Sequence, residues 1–291
     1  MKRYHLFEWE DQAWLPRSLR DGVTDFLRWS VITFKLYRPV APVLSDALDK
    51  SSASKVVDLC TGAGGPWQDL LRTSPLSARN LSVTLTDFYP NTEALKALES
   101  TFPEKLRFES SPVDAKRVPG TLRGFRTLFS SFHHFPPQHA QMILADAIDN
   151  RCGIAVFETT QRHVLVLLYM MLVVPFVVFI TAPFLKPFRW SRLFWTYVVP
   201  ILPFLIAFDG FVSALRTYTP DEILEMAKST PRGDTYEWQA GIARFGLLPV
   251  GITYLIGVPI SSSNASLAIA SEVDGTAIAT PDLTERIGQV T

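Results

Sequence analysis

Cysteine is scarce in this chain. Two cysteines in 291 residues, Cys60 and Cys152, exclude a disulfide framework. Neither sits in a CxxC or Cys/His spacing, so no metal is expected. An excess of charge of one sign is also missing. Lys plus Arg number 28 and Asp plus Glu number 28, for a net charge of zero. No broad basic field is present to drive nucleic-acid binding, and no nucleic-acid partner is expected. With 47% apolar and 19% charged residues, the chain is too greasy to be disordered. The opening stretch, Met1 to Trp14, carries Lys2 and Arg3 but no apolar core of a secretory signal, which points to a reducing cytoplasmic setting.

The most informative lack is local. From His163 to Leu185 there is no Lys, Arg, Asp or Glu. At about 1.5 Å per residue, such a helix reaches roughly the 30 Å of a bilayer core. Lys186, Arg189, Trp190 and Arg192 follow, and then a second apolar run, Leu193 to Phe208, which Asp209 and Gly210 are expected to end. Pro200 and Pro203 should bend this second run. The pair reads either as a membrane-embedded helical hairpin or as a greasy lid over a soluble domain. A complete crossing would carry three basic residues to the far side, against the positive-inside tendency. A re-entrant or monotopic hairpin avoids this, with Pro175 and Pro183 kinking the first arm and Lys186, Arg189 and Arg192 reaching lipid headgroups. Membrane lipid is therefore an expected partner through residues 163–208, at the cytoplasmic face of a membrane.

The remainder alternates between strand and helix patterns. Residues 17–37 place apolar side chains on one helical face, and Val43 to Leu48 reads as a short helix. Strands are expected at 55–59, 81–86, 106–109, 127–131 and 153–158, with helices from Trp67, Asn91, Pro136 and Thr219. Two closing strands, 236–244 and 251–258, complete the pattern. Alternation of this kind predicts an α/β fold with a mostly parallel sheet covered on both faces. Residues 1–53 form a helical cover, 54–160 and 217–260 the core, 161–216 the hydrophobic hairpin, and 261–291 a flexible Ser/Ala/Thr-rich tail. The Asn264–Ala265–Ser266 sequon in that tail reads as chance. Trp9, Trp14 and Trp29 read as packing residues.

Between the first strand and its helix lies CTGAGGP, residues 60–66. Gly62, Gly64 and Gly65 let the backbone turn tightly and approach a ligand. Asp58 lies inside the strand feeding the turn, and Asp87 ends the next strand, where a carboxylate can accept ribose hydroxyls. Asp58, Asp87, Asp114 and the FHHF segment all fall at carboxyl ends of strands, where such sheets bind ligands. A dinucleotide fingerprint would need a third glycine where Trp67 stands, and an acidic residue beside the turn would repel a pyrophosphate. It suits a ligand with a positive centre.

VVDLCTGAGG resembles the first motif of class I S-adenosylmethionine-dependent methyltransferases. That motif has an acidic residue followed by glycines at alternate positions; here these are Asp58 and then Cys60, Gly62 and Gly64, with Cys60 departing from the usual first glycine. LTDFYPN resembles the second motif, SPVDA the third, and TLFSSFHHF the stretch after the fourth strand. The resemblance covers about Ser54 to Thr160 and the closing elements after Arg216. It implies a Rossmann-like class I methyltransferase sheet, mostly parallel with an antiparallel closing strand, into which the hydrophobic hairpin is inserted. It also implies S-adenosylmethionine as cofactor, with Asp58, Cys60, Thr61, Gly62 and Gly64 around it, Asp87 and Phe88 at the ribose, Asp114 and Ala115 near adenine, and Phe132 near the methyl donor.

His133 and His134 are the candidate catalytic residues, since imidazole titrates near neutral pH. Glu158, at the end of the fifth strand, reads as structural. The hairpin beside the donor site points to a lipophilic small-molecule acceptor or a lipid, such as a quinone or a hydrophobic secondary metabolite. Two other classes stay open: a non-catalytic, membrane-tethered nucleoside-binding module, and a nicotinamide-dependent oxidoreductase, against which the missing third glycine counts.

Overall fold

Short aliphatic runs flanked by turn residues become the strands of one sheet in the computed structural model, which describes residues 1–12 and 14–260. The expected tail at 261–291 and its sequon lie outside the described residues. Strands β1 (Lys55–Leu59), β2 (Ser82–Leu85), β3 (Leu106–Phe108), β4 (Phe125–Phe129) and β5 (Ile154–Glu158) pair in parallel. β6 (Tyr236–Arg244) and β7 (Gly251–Pro259) form an antiparallel hairpin, and β7 inserts antiparallel beside β5. The order across the sheet is β3-β2-β1-β4-β5-β7-β6. β4 and β5 are buried along their whole length, as expected for central parallel strands.

Helix α1 (Arg17–Thr33) precedes α2 (Ala41–Lys50), and α3 (Trp67–Leu70), α4 (Thr92–Thr101) and α5 (Pro137–Asp149) link the parallel strands. α4 starts where Asn91 accepts a hydrogen bond from the Ala94 N–H. A further helix, Pro220–Ser229, opens on a capping box made by Thr219 and Glu222. One face of the sheet buries Leu44 and Leu48 of α2, Trp67 of α3, and Leu95 and Leu98 of α4. The other buries Ile143 and Leu144 of α5 together with Ile223.

β4 begins at Phe125, two positions before the expected Thr127. Arg126 hides the start of this strand in the sequence, because a charge interrupts the apolar run. In the fold its guanidinium is buried and paired with Asp146 of α5.

The hydrophobic insertion is a helical arm. Its first helix, Val164–Phe184, is long and apolar enough to cross a membrane, and only 22% of its apolar window is buried. A π-helical turn at Tyr169–Val173 ends two residues before Pro175, and Pro183 lies in the tight closing turn Ala182–Phe184. Helices Trp190–Val198 and Ile201–Arg216 then meet at 87° across Pro200. α1 packs on this arm, joining Leu19, Val23 and Phe26 to Val178, Leu202 and Ile206.

Two expectations about the arm are corrected. Asp209 and Gly210 do not end the second run; the helix continues to Arg216. The Asp209 carboxylate accepts the backbone N–H groups of Trp9 and Glu10 at 2.8 and 3.0 Å, which offsets part of the cost of burying it; burial still pushes the carboxyl up to about 6. Gly210 lies against Met170, where a Cβ would come within 2.7 Å of the sulfur. The second correction concerns Arg192, which does not reach outward to headgroups. It is 1% exposed, pairs with Asp25 of α1 at 2.6 Å, and donates to the carbonyls of Ala182, Leu185 and Pro187. Arg189 pairs with Asp21 and Asp25, and Lys186 alone of the three is exposed.

Candidate functional site

The turn after β1 is built from left-handed residues. Cys60, Gly62 and Gly65 have φ of 55°, 57° and 51°, and Gly64 has 106°. Glycine adopts such angles freely, whereas Cys60 bears a strain that a glycine would not. Thr61 anchors the turn, its carbonyl accepting from the N–H groups of Gly64 and Gly65. A Cβ on Gly64 would lie 2.4 Å from the end of the Leu98 side chain, which would have to shift, and the φ of 106° already disfavours a side chain there. Burial pushes the Cys60 thiol well above its ordinary range, which keeps it protonated.

Asp87, at the carboxyl end of β2, closes over this turn. Its Oδ2 accepts from the Gly62 N–H at 2.8 Å and its Oδ1 from the Tyr89 N–H at 2.8 Å. The Asp87 carbonyl accepts from the Val113 N–H, which ties the Asp114 loop to the same strand end. Asp114 itself faces Lys116, 3.2 Å away. Phe88 is half-exposed, with its ring edge against Tyr89. Ala115 and Phe132 are buried in one core cluster, and Cys60 packs against it.

Asp58 is the unusual group. It is buried, and its Oδ1 accepts from the Thr127 hydroxyl at 2.6 Å. Its Oδ2 has no hydrogen-bond partner, and neither do the neighbouring Thr61 hydroxyl and Trp67 indole N–H. Burial outweighs the groups that favour the ionised form, Thr127 first among them, and pushes Asp58 up to about 7. A carboxylate held this way gains from a cationic ligand.

The two histidines sit in a second cluster, on the turn Phe132–His134 that follows β4. Glu158, at the end of β5, organises it. Its Oε1 accepts from the N–H groups of Phe132 and His133 at 2.8 and 3.2 Å, and its Oε2 accepts from His133 Nδ1 at 2.6 Å. The His133 ring is therefore fixed with Nδ1–H toward Glu158. Its Nε2 is buried, has no hydrogen-bond partner, and lies 4.0 Å from Glu8 Oε1. The His134 ring centroid is 4.3 Å from that of His133. His134 Nδ1 lies 3.1 Å from Asp11 Oδ1 and 3.4 Å from Glu8 Oε2. Burial would lower His134, but its bond to Asp11 and the charge of Glu8 prevail and raise it to about 9.

The sequence reading missed Glu8, Asp11 and Arg216 altogether. The N-terminal segment brings the two acids across the histidines, and Arg216 at the end of the arm holds both, 3.2 Å from Glu8 and 2.8 Å from Asp11. Arg216 also donates to the Leu6 carbonyl, while Arg3 donates to the carbonyls of His133 and Phe135. Burial would raise the Asp11 carboxyl, but the bonds from His134 and Arg216 hold it well below its ordinary value. Among the described residues, Glu8, His133 and His134 bring ligand-capable atoms within 4.8 Å of one another. Glu158 alone carried a readable signal, since it ends a parallel strand on the edge that presents Asp58 and Asp87.

The sheet order, with β7 antiparallel between β5 and β6, is that of the Rossmann-like class I methyltransferase fold. No family model matches the chain, and no curated protein matches it in sequence. Among solved structures it is similar to human N-acetylserotonin methyltransferase in complex with SAM, at 16% identity and a TM-score of 0.47, over 84% of this chain and 56% of that one. The pyocyanin biosynthetic protein PhzM is similar at 16% identity and a TM-score of 0.48, over 81% and 57%. The neocarzinostatin O-methyltransferase NcsB1, solved with S-adenosylmethionine and 2-hydroxy-5-methyl naphthoic acid, is similar at 15% identity and a TM-score of 0.49, over 84% and 59%. The chain thus spans less than three fifths of the length of each of these structures.

Proposed function

We propose that this protein transfers the methyl group of S-adenosylmethionine to a lipophilic small molecule or a lipid, at the cytoplasmic face of a membrane. The observation that carries the reading is the buried Asp58 carboxylate, with one oxygen unpartnered, beneath a left-handed glycine turn that Asp87 closes. Burial disfavours the ionised Asp58 carboxylate, and a positively charged ligand beside it relieves that cost. S-adenosylmethionine supplies an electrophilic methyl carbon on a cationic sulfur. Asp58 and the turn at Thr61, Gly62 and Gly64 hold its charged end, Asp87 with Phe88 its ribose, and Asp114 with Ala115 its adenine side.

The protein's part in the reaction is alignment and exclusion of water, with reacting atoms brought to about 3–3.5 Å. Phe132 walls the donor side. An acceptor hydroxyl that keeps its proton until attack is met by the His133–His134 cluster. There the His133 Nδ1–H is committed to Glu158, which leaves Nε2 as the free atom.

The membrane part of the reading rests on exposed apolar side chains along the arm. Phe176 and Ile180 are 69% exposed and Phe184 76%. Phe188, Trp190, Phe194 and Tyr197 crowd the bend, an aromatic composition suited to a membrane interface. A lid closed over its own domain would bury these groups.

The test is incubation with S-adenosylmethionine labelled on the methyl group and a membrane lipid extract. Label should pass into the organic phase with the wild type and not with Asp58→Ala. Absence of transfer to any lipophilic fraction, in protein that binds the donor, would contradict methyl transfer to such acceptors.

A further inference from the structure

We infer that Glu8, His133 and His134 form a binding site for one first-row divalent metal ion of the zinc type. The argument begins with the His133 ring. Its Nδ1–H donates to Glu158 at 2.6 Å, so in the neutral ring the lone pair sits on Nε2. That nitrogen is buried, unpartnered, and directed toward Glu8 Oε1 4.0 Å away. Two electron-rich atoms face each other across a gap too long for a hydrogen bond and wide enough for a cation. His134 Nδ1 lies 3.4 Å from the other oxygen of Glu8, which completes a set of two imidazoles and one carboxylate.

The surroundings suit a cation. The carboxylates of Glu8, Asp11 and Glu158 all lie against the two imidazoles in a mostly buried cluster, with Arg216 pairing to Glu8 and Asp11.

The ligand set selects the metal. Two imidazoles and a carboxylate suit zinc and its first-row neighbours, whereas magnesium and calcium prefer oxygen. Glu158 behind His133 is the carboxylate partner that orients a metal-bound imidazole and increases its basicity. Three protein ligands leave one position for an acceptor oxygen or sulfur, as in catalytic zinc sites. A bound ion would be held by His133, His134 and Glu8 and would act as a Lewis acid, lowering the pKa of a coordinated acceptor so that its proton passes to water. The site itself stands on the ring geometry and does not depend on methyl transfer.

The experiment is titration of the chelator-treated full chain with Zn2+ by calorimetry and with Co2+ by visible absorption, followed by S-adenosylmethionine on the same samples. One ion per chain is expected, with the absorption of a low-coordinate Co2+ site. Glu8→Gln and His134→Gln should each weaken binding at least 100-fold, and Glu158→Gln about 10–100-fold. His139→Gln, outside the cluster, should leave it unchanged. Thermal melts of each variant separate ligand loss from unfolding. Failure of the wild type to bind one ion, or binding that survives both Glu8→Gln and His134→Gln in folded protein, would overturn the site. Metal binding without donor binding would instead keep the site and reject the methyltransferase reading.

Discussion

The sheet and the arm are held together in different ways. In the sheet, neighbouring strands and helices bury aliphatic side chains in two continuous layers. In the arm, an apolar cluster shared with α1 is pinned by charged contacts between residues far apart in the chain: Arg192 with Asp25, Asp209 with the backbone at Trp9 and Glu10, and Arg216 with Glu8 and Asp11. The sheet therefore carries its own stability. The arm and N-terminal segment depend on a few ionic joints, and removing one partner of such a joint leaves an uncompensated charge. The Arg216 joint also completes the histidine cluster, so the end of the arm is part of that cluster.

The contrast is broken most directly at Arg192. Arg192→Met should cost about 3–5 kcal/mol by leaving Asp25 buried beside fewer charges. Hydrogen exchange should rise across residues 164–216 while β1 and β4 keep their protection; equal loss in both regions would mean that they are one cooperative unit. Next in size is Asp87→Ala. Loss of two charge-assisted hydrogen bonds, at about 1.5–3 kcal/mol each, should weaken S-adenosylmethionine binding at least 100-fold in calorimetry while the arm is unaffected.

A smaller effect belongs to the exposed face. Phe176→Ser with Ile180→Ser should lower partition onto lipid vesicles about tenfold or more, from partial loss of about 1.5–3 kcal/mol per side chain, with donor affinity unchanged. Smallest is a pH effect in the sheet. Burial raises the Asp58 carboxyl from 3.8 to about 7 in the folded protein. The folded state thus holds the proton more tightly than the unfolded one, and the contribution of Asp58 to stability falls as pH rises from about 4 to 7. A cationic donor favours the ionised form, so its affinity should rise about tenfold from pH 6 to pH 8. Asp58→Asn should flatten that rise in paired calorimetric titrations.

What the sequence made legible follows from where each partner lies. The strands, the glycine turn and the acid at the end of β2 are local patterns, and all reappear in the structure at or near the expected positions. The start of β4 was hidden by a single residue whose effect depends on a neighbour. Arg126 reads as a break until Asp146 is seen beside it. Asp209 likewise reads as a helix end until two N–H groups from the N-terminal segment reach its carboxylate. The histidine cluster was half legible. His133 and His134 stand out in sequence, but Arg216 and Asp11 lie 205 positions apart and no periodicity links them. Cys60 shows the reverse: its departure from glycine is plain in sequence, and only the structure shows that it keeps the left-handed backbone of the turn.

Calorimetric titration of the wild-type chain with S-adenosylmethionine, followed by competition with its demethylated product, tests the central claim most directly. One molecule of donor should bind per chain, and the product should displace it. A folded chain that binds neither, or that prefers a pyrophosphate-bearing dinucleotide, would contradict the account.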